Sequence, residues 1–135
     1  MSSDLQIRPF EHGDKNFVYN SWLKSYRQYM RPVDDQVYYS QESVLIDKSE
    51  TVLILCIDSD PDIIIGYLAY SLLLDVPVIH YLYVKEQYRS QGCSKALLNC
   101  IISEHSLFIY DHWTKYTGNY KSYTKGIYNP YLRST

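Results

Sequence analysis

The residues best placed to do chemistry lie where an apolar segment, 78–84, gives way to a polar loop and then to a helical pattern. Backbone N–H groups at a helix N-terminus converge on one spot, and the helix dipole adds positive potential there. Gly92 lets an anion approach the backbone without a Cβ in the way, Ser94 keeps the next turn small, and Arg89 can add a charge-assisted hydrogen bond. The segment therefore predicts a phosphate or pyrophosphate cradle. The alternative is an ordinary strand–loop–helix connection whose glycine only makes the turn.

Other reactive side chains give weaker hypotheses. Cys93 stands at the predicted helix N-terminus, where thiols become more acidic, but no histidine lies at a recognisable nucleophile–base spacing from it. His105, Asp111 and His112 can be drawn as a metal cluster, but no i/i+4 pair on a clear helix supports one. We therefore expect no metal site.

The elements that must position these residues follow from hydrophobic periodicity. Val18, Trp22, Tyr26 and Met30 recur every fourth residue and predict a helix that stops at Pro32. Two further helices are predicted over 38–48, with Val44 and Leu45 facing inward, and over 91–104. Alternating or β-branched segments predict strands around 5–7 and over 51–57, 63–73, 78–84 and 106–110. This order predicts an α+β (mixed α/β) fold with a central, mostly antiparallel sheet and helices against it.

Composition limits the class of protein. The chain has 135 residues, a formal charge of −2 and 46% hydrophobic residues, which favours one globular domain over 1–135. The negative charge argues against a nucleic-acid-binding surface. The three cysteines have no disulfide or zinc spacing, and no apolar run is long enough for a membrane span. We expect a soluble cytoplasmic protein with no nucleic-acid or membrane partner. The 16 tyrosines, against 3 phenylalanines, are the unusual feature.

Segment 78–98 resembles the coenzyme A pyrophosphate motif of the GNAT superfamily of N-acyltransferases, through the spacing of Val84, Arg89, Gly92 and Ser94. The order of strands and helices around it is similar to that fold, with helices on both faces of the sheet. The resemblance implies that strands 78–84 and 106–110 splay apart to admit the thioester of acetyl-CoA. It implies two groups of cofactor-binding residues: Leu82, Tyr83 and Val84 along the pantetheine arm, and Arg89, Ser90, Gln91, Gly92, Cys93, Ser94 and Lys95 around the pyrophosphate.

Acyl transfer from a thioester to an amine needs a base for the amine and an acid for the leaving thiolate. His80 lies where many members of the family place a glutamate, and alternation puts it on the same face as Leu82 and Val84. We expect it to be the base, and the alternative is a histidine hydrogen-bonded inside the sheet. Tyr123 is the candidate acid, with Tyr116 and Tyr120 as rivals, because 119–127 echoes the family's Asn–aromatic–Tyr–Gly ending with shortened spacing.

Two further segments, 18–27 and 128–132, resemble those of short GNAT-like proteins encoded by tailed bacteriophages. The leading hypothesis is an N-acetyltransferase that moves an acetyl group from acetyl-CoA to a small-molecule or protein amine. The alternative is a non-catalytic phage protein of the same fold that contacts phage structural proteins as an assembly or virion module, because fold alone does not set function.

Overall fold

The computed structural model of the chain describes residues 4–30, 32–89, 91–102, 107–112 and 126–130. The elements in chain order are β1 (Leu5–Pro9), α1 (Lys15–Tyr26), α2 (Asp35–Lys48), β2 (Thr51–Ile57), β3 (Asp60–Leu73), β4 (Val76–Val84), α3 (Cys93–Ile102), β5 (Phe108–Tyr110) and β6 (Gly126–Tyr128). The predicted second and third helices and the strands of the central hairpins are confirmed, with boundaries that differ by a few residues. The first predicted helix is interrupted, because a 3₁₀ turn, Arg27–Met30, follows α1.

The strands form one six-stranded sheet in the order β1-β2-β3-β4-β5-β6. β1 to β4 pair antiparallel, whereas β5 lies parallel to both β4 and β6. The β3–β4 hairpin turns at Leu74 and Asp75, whose φ angles of 49° and 68° are those of the turns that match the twist of paired strands. The mixed, mostly antiparallel sheet predicted from the sequence is confirmed.

Helices cover both faces of the sheet, and each face has its own apolar core. On one side, here called the α3 face, Leu97, Leu98 and Ile101 pack against Leu68 and Ile79. On the other, the α1/α2 face, the core is built from α1, α2 and alternate residues of the strands, with these buried members: Val18, Trp22, Tyr26, Tyr38, Ile46, Ile54, Cys56, Ile64, Tyr67, Ala69 and Tyr81. The predicted four-residue repeat of α1 is therefore its buried stripe.

The inward face of α2 differs from the prediction. Val44 is 48% exposed, and the buried residues of the helix are Tyr38, Glu42 and Ile46. These three recur every fourth residue, so they form one stripe along the helix. A charged residue occupies the middle of that stripe, and the apolar neighbour Val44 is therefore turned away from the sheet.

Tyrosine hydroxyls tie α1 to its surroundings. The Tyr67 hydroxyl donates to the Val18 carbonyl, and the Tyr38 hydroxyl donates to the Leu23 carbonyl. Tyr81 and Ser25 share a hydrogen bond of 2.6 Å. A tyrosine ring fills a core position while its hydroxyl satisfies a polar group at the edge of that core. This pairing accounts for part of the tyrosine excess.

Candidate functional site

His80 occupies an irregular point in β4. Tyr81 pairs with Ala69, but the next residue of β3, Tyr70, pairs with Ile79, so His80 is the additional residue of a β-bulge. The bulge interrupts the alternation of side chains. Ile79 therefore packs on the α3 face, as Leu82 and Val84 do, although it is an odd number of residues from both.

The prediction that His80 shares a face with Leu82 and Val84 is wrong, because that prediction assumed a regular strand. Both hydrogen-bonding partners of the imidazole lead to the α1/α2 face. Its Nε2 lies 2.8 Å from the Ser71 hydroxyl, and its Nδ1 lies 2.7 Å from Oδ2 of Asp111. The His80 side chain is 12% exposed, and the Asp111 carboxylate is fully buried.

Asp111 connects His80 to a second buried histidine. Its Oδ1 lies 2.6 Å from Nδ1 of His112, whose Nε2 lies 2.7 Å from Oε1 of Glu42. The Trp22 indole N–H donates to the same Glu42 oxygen, at 3.2 Å. Both ring nitrogens of His112 thus face carboxylate oxygens, so both must donate, and the ring is an imidazolium. These five side chains form a continuous network from the bulge to α1 and α2.

The charges in this network follow from its hydrogen bonds. Burial alone would raise the pKa of Asp111, but hydrogen bonds from His112 and His80 outweigh it and lower the pKa to about 2. Burial alone would likewise lower the pKa of His112, but hydrogen bonds to Asp111 and Glu42 outweigh it and raise the pKa above its usual value. Asp111 is therefore a carboxylate at neutral pH. A carboxylate can only accept hydrogen bonds, so Asp111 needs a donor on His80. When the His80 ring is neutral, its hydrogen therefore lies on Nδ1, and Nε2 is an acceptor.

The loop after β4 brings the predicted cradle together. A 3₁₀ turn, Glu86–Tyr88, leads to Arg89, whose Nε donates back to the Val84 carbonyl at 2.9 Å. Gly92 has a φ of +81°, which favours glycine, and no atom lies within 4 Å of the position that a Cβ would take. α3 begins at the next residue, so the first-turn amides of the helix, which have no acceptor within it, follow Gly92 directly. Gln91, Ser94 and Lys95 are exposed beside it.

Cys93 lies in the same segment but is buried, and burial raises the pKa of its thiol. A buried thiol of raised pKa is a poor nucleophile, so this residue contributes packing on the α3 face. Among the described residues, no group of three histidine, cysteine, aspartate or glutamate side chains is arranged to hold a metal ion. Ser90, Tyr116, Tyr120, Tyr123 and the histidine at 105 lie outside the described residues.

β4 and β5 pair over a short distance. Val78 pairs with Ile109 and Ile79 with Tyr110, and the Asp111 amide donates to the Ile79 carbonyl. Within the described part of the chain, the edge of β4 beyond the bulge has no strand partner on the β5 side. That edge, at Leu82, Tyr83 and Val84, runs from the bulge toward the start of α3.

A cavity of about 500 Å³ lies on the α1/α2 side, where the start of α1 and the end of α2 meet the start of β2. Phe10 and Tyr19 line it together with two carboxylates, Asp47 and Glu50, and with Lys15. Glu50 also connects the cavity to the bulge, because its backbone N–H donates to the Ser71 hydroxyl at 3.2 Å.

Sequence reasoning missed Ser71 and Glu42, and it considered Asp111 and His112 only as parts of a rejected metal cluster. The available signal was the Asp111–His112 pair directly after the apolar β5, where polar side chains follow a buried strand. Glu42 carries no comparable signal, because it is separated from His112 by 70 residues and resembles a surface residue of a polar helix.

The fold and the site define the chain as an α+β domain with a bulged central strand, a strand–loop–helix junction that contains a glycine of positive φ, and a buried network of carboxylates and histidines. The family model described as acetyltransferase (GNAT) family matches residues 16–107. This match covers more than half of the chain, so the chain belongs to the GNAT acetyltransferase family. The expected family is thereby confirmed. No curated protein matches the chain.

Solved structures share the fold at low sequence identity. A possible acetyltransferase from Clostridium difficile 630 matches with a TM-score of 0.59 and 15% identity, over 87% of this chain and 88% of the other. AAC(6')-Iy, in complex with the bisubstrate analogue CoA-S-monomethyl-acetylneamine, matches with a TM-score of 0.55 and 13% identity, over 91% of each chain. The chain spans 65% of the length of a GNAT acetyltransferase from Staphylococcus aureus Mu50, which matches over 73% of this chain with a TM-score of 0.50 and 16% identity. These likenesses confirm the GNAT fold.

Within the described ranges, no helix has the length and apolar character needed to cross a membrane.

Proposed function

We propose that the protein is an N-acetyltransferase that moves an acetyl group from acetyl-CoA to an amine, with the pair His80–Asp111 as its acid–base group. The observation that carries the proposal is the position of His80 at the bulge of β4, with Nδ1 held by a buried carboxylate. Membership of the GNAT family supports the reaction class. The chemistry of the reaction needs a group that takes a proton from the attacking amine, and an oriented neutral imidazole does this near pH 7.

The cofactor-binding residues of this proposal are those named from the sequence. Acetyl-CoA would supply the activated acyl group as a thioester. The open space at Gly92 and the first turn of α3 suit a pyrophosphate, with Ser90, Gln91, Cys93, Ser94 and Lys95 around it and Arg89 beside it. The edge at Leu82, Tyr83 and Val84, which has no strand partner on the β5 side among the described residues, suits the amide groups of a pantetheine arm, which would pair with it as a strand does.

Asp111 and His112 have positioning roles in this mechanism. The carboxylate keeps the His80 hydrogen on Nδ1 and stabilises the imidazolium that forms when Nε2 takes a proton. His112 fixes the position of the carboxylate through a hydrogen bond to its Oδ1, and Glu42 fixes the position of His112 through a hydrogen bond to its Nε2. Tyr123 is the proposed donor of a proton to the leaving thiolate, with Tyr116 and Tyr120 as alternatives.

The acceptor is proposed to be an amine that carries a positive charge in solution. The cavity between the helices and the start of β2 supports this, because Asp47 and Glu50 favour a cation and the rings of Phe10 and Tyr19 favour its apolar part. Lys15 at the cavity wall would contact an anionic group of the same acceptor. We propose that the reaction takes place in the cytoplasm.

Calorimetric titration of acetyl-CoA tests the proposal. We expect binding by the wild-type chain and its loss in Gly92→Glu, which puts a carboxylate in the cradle. Gly13→Glu is the control, since Gly13 also has open space at its Cβ position but lies in the turn before α1. Binding that survives Gly92→Glu would show that the cradle is misplaced. Absence of binding by the wild-type chain at millimolar cofactor would favour the alternative, a non-catalytic assembly module of a phage particle.

A further inference from the structure

The cavity between the helices and the start of β2 carries both signs of charge. Lys15, the first residue of α1, and Asp47, in the last turn of α2, both line the cavity, and both side chains are exposed. In the part of the chain that the structure describes, neither side chain forms an ion pair, with the other or with a third residue. Each charge is therefore available to an occupant of the cavity.

The two signs of charge lie toward different ends of the cavity. Phe10 marks the end beside β1, since its backbone N–H donates to a carbonyl of β2 at 3.1 Å, and Lys15 follows it after one short turn. Glu50 marks the end beside β3, since its Oε1 accepts from the Leu72 N–H at 2.7 Å. An occupant that matches this arrangement has an anionic group toward α1 and a cationic group toward Glu50.

The wall between these ends is apolar. Val18 and Ile46 are buried there, and Tyr19 and Val52 are half-buried. Phe10 is 39% exposed, so its ring is removed from water only when an occupant covers it. The volume of about 500 Å³ lies within the range of small-molecule sites, roughly 300–1,000 Å³. The cavity therefore fits a small molecule that has an apolar group beside its two charges.

We infer that the cavity binds an α-amino acid with an apolar side chain, as the acceptor of the acetyl group. Its carboxylate contacts Lys15, its ammonium contacts Glu50 and Asp47, and its side chain covers Phe10. A simple amine lacks the anionic group and a simple carboxylic acid lacks the cationic one, so neither matches both ends. An amino acid carries both charges at neutral pH.

This inference deepens the proposed function, which places the acceptor in this cavity, and rests on it for the reaction but not for the binding. The Ser71 hydroxyl accepts from the Glu50 N–H and is hydrogen-bonded to His80, so the ammonium lies at the end of the cavity nearer to His80. After the ammonium loses one proton to water, its nitrogen bonds to the acetyl carbon and the carbon–sulfur bond breaks. The nitrogen gives a second proton to His80, and the leaving thiolate takes a proton from the acid group. The products are an N-acetyl amino acid and the free thiol of coenzyme A.

Binding to the full chain without acetyl-CoA is the first test, because it does not depend on catalysis. Three probes share a phenyl ring: phenylalanine carries both charges, phenethylamine only the positive one and 3-phenylpropionate only the negative one. Calorimetry and ligand-observed NMR measure their dissociation constants. We expect phenylalanine to bind about three- to tenfold more tightly than either of the other probes.

Charge-removing variants assign the two ends of the cavity. Lys15→Gln should weaken the binding of phenylalanine and 3-phenylpropionate about three- to tenfold and should not weaken that of phenethylamine. Asp47→Asn should weaken the binding of phenylalanine and phenethylamine and should not weaken that of 3-phenylpropionate. Lys24→Gln and Asp62→Asn are the matched controls, because both residues are exposed and neither lines the cavity. All four substitutions are made at exposed positions, where the core is not changed.

The second test adds acetyl-CoA. We expect mass spectrometry to detect N-acetylphenylalanine, and Lys15→Gln to raise KM for phenylalanine with kcat unchanged. Equal binding of the three probes, or unchanged binding of phenylalanine in Lys15→Gln, would overturn the inference. So would a chain that acetylates phenethylamine as efficiently as phenylalanine, or that binds phenylalanine and acetylates only other amines. In each of these cases the proposed function stands, because it falls only if the chain binds no acetyl-CoA or acetylates no amine.

Discussion

Glu42 offers the sharpest test of the buried network, because two substitutions separate its charge from its hydrogen bonds. Its Oε1 accepts from the imidazolium of His112 and from the indole of Trp22. Glu42→Gln keeps an oxygen at that position and removes the negative charge. Glu42→Leu removes both the charge and the acceptor. The two variants therefore measure different parts of one interaction.

The expected cost follows from what each variant leaves behind. Glu42→Leu leaves two buried N–H donors without an acceptor, one of them on the cationic His112. Removing one partner of a buried ion pair costs about 3–5 kcal/mol, which is a large share of the roughly 5–15 kcal/mol that holds a domain folded. Glu42→Gln costs less, since both hydrogen bonds can remain. Gln41→Leu is the control, because Gln41 is exposed on the same helix.

The cost also depends on pH, with a sign fixed by His112. The pKa of His112 is raised in the folded state, so its protonation stabilises the fold at pH values below about 6.5, the usual value. This contribution is lost as the pH rises through the raised pKa. We therefore expect wild-type stability to fall above about pH 6.5, and the cost of both Glu42 variants to be larger at pH 6 than at pH 9.

Urea unfolding followed by circular dichroism at pH 6 and pH 9 measures these differences, with fitted slopes compared to verify two-state behaviour. A loss of less than about 1 kcal/mol in Glu42→Leu would mean that Glu42 is not the partner of a buried charge. An equal cost at the two pH values would mean that His112 is neutral in the folded protein. Either result would refute the assignment of a positive charge to His112 and a negative charge to Glu42. It would also refute the argument that these two residues position Asp111.

Two further predictions concern the reaction and the sheet. Asp111→Asn should lower kcat for thiol release from acetyl-CoA by about 10²–10⁴-fold, because Asp111 acts through His80. The KM for acetyl-CoA should stay unchanged, and a raised KM with full kcat would contradict this role. Gly66→Ala should lower the free energy of unfolding in urea by about 1–3 kcal/mol, because its Cβ would lie 2.3 Å from the backbone oxygen of Tyr83. Gly13→Ala, which meets open space, should be tolerated, and equal stability of the two alanine variants would rule out the close approach.

Much of the fold could be predicted because its signals are local. The two-residue period over β2, β3 and β4 and the four-residue stripe of Val18, Trp22 and Tyr26 each reflect one buried face of one element. The strand–loop–helix junction that carries the proposed cradle could also be predicted, since a strand, a loop with one glycine and a helix follow one another directly in the chain. α2 was a weaker prediction because Glu42 stands in its buried stripe, where the pattern requires an apolar residue.

The acid–base network could not be predicted, and the bulge is the physical reason. A regular strand would place His80 among the apolar residues of the α3 face, where its ring would find no carboxylate. One additional residue in β4 turns it toward Asp111 instead, and no periodicity in a single strand reveals which residue will be additional. The partners Glu42 and His112 come from elements that only the folded sheet brings together.

The position of His80 at the bulge also gives a reason for burying three charged residues at this point of the sheet. Burying Asp111, His112 and Glu42 carries a desolvation penalty that well-packed apolar residues would avoid, so stability alone gives no reason for it. What the three residues do achieve is a fixed orientation for His80, because its Nδ1 lies 2.7 Å from the buried Asp111 carboxylate. Nε2 faces the Ser71 hydroxyl on β3, so the network fixes the orientation of the imidazole at the bulge of β4. The stabilities of the Glu42 variants and the activity of Asp111→Asn therefore test the same network. A variant in which His80 loses its contact with Asp111 should have a lower kcat even where the protein remains folded.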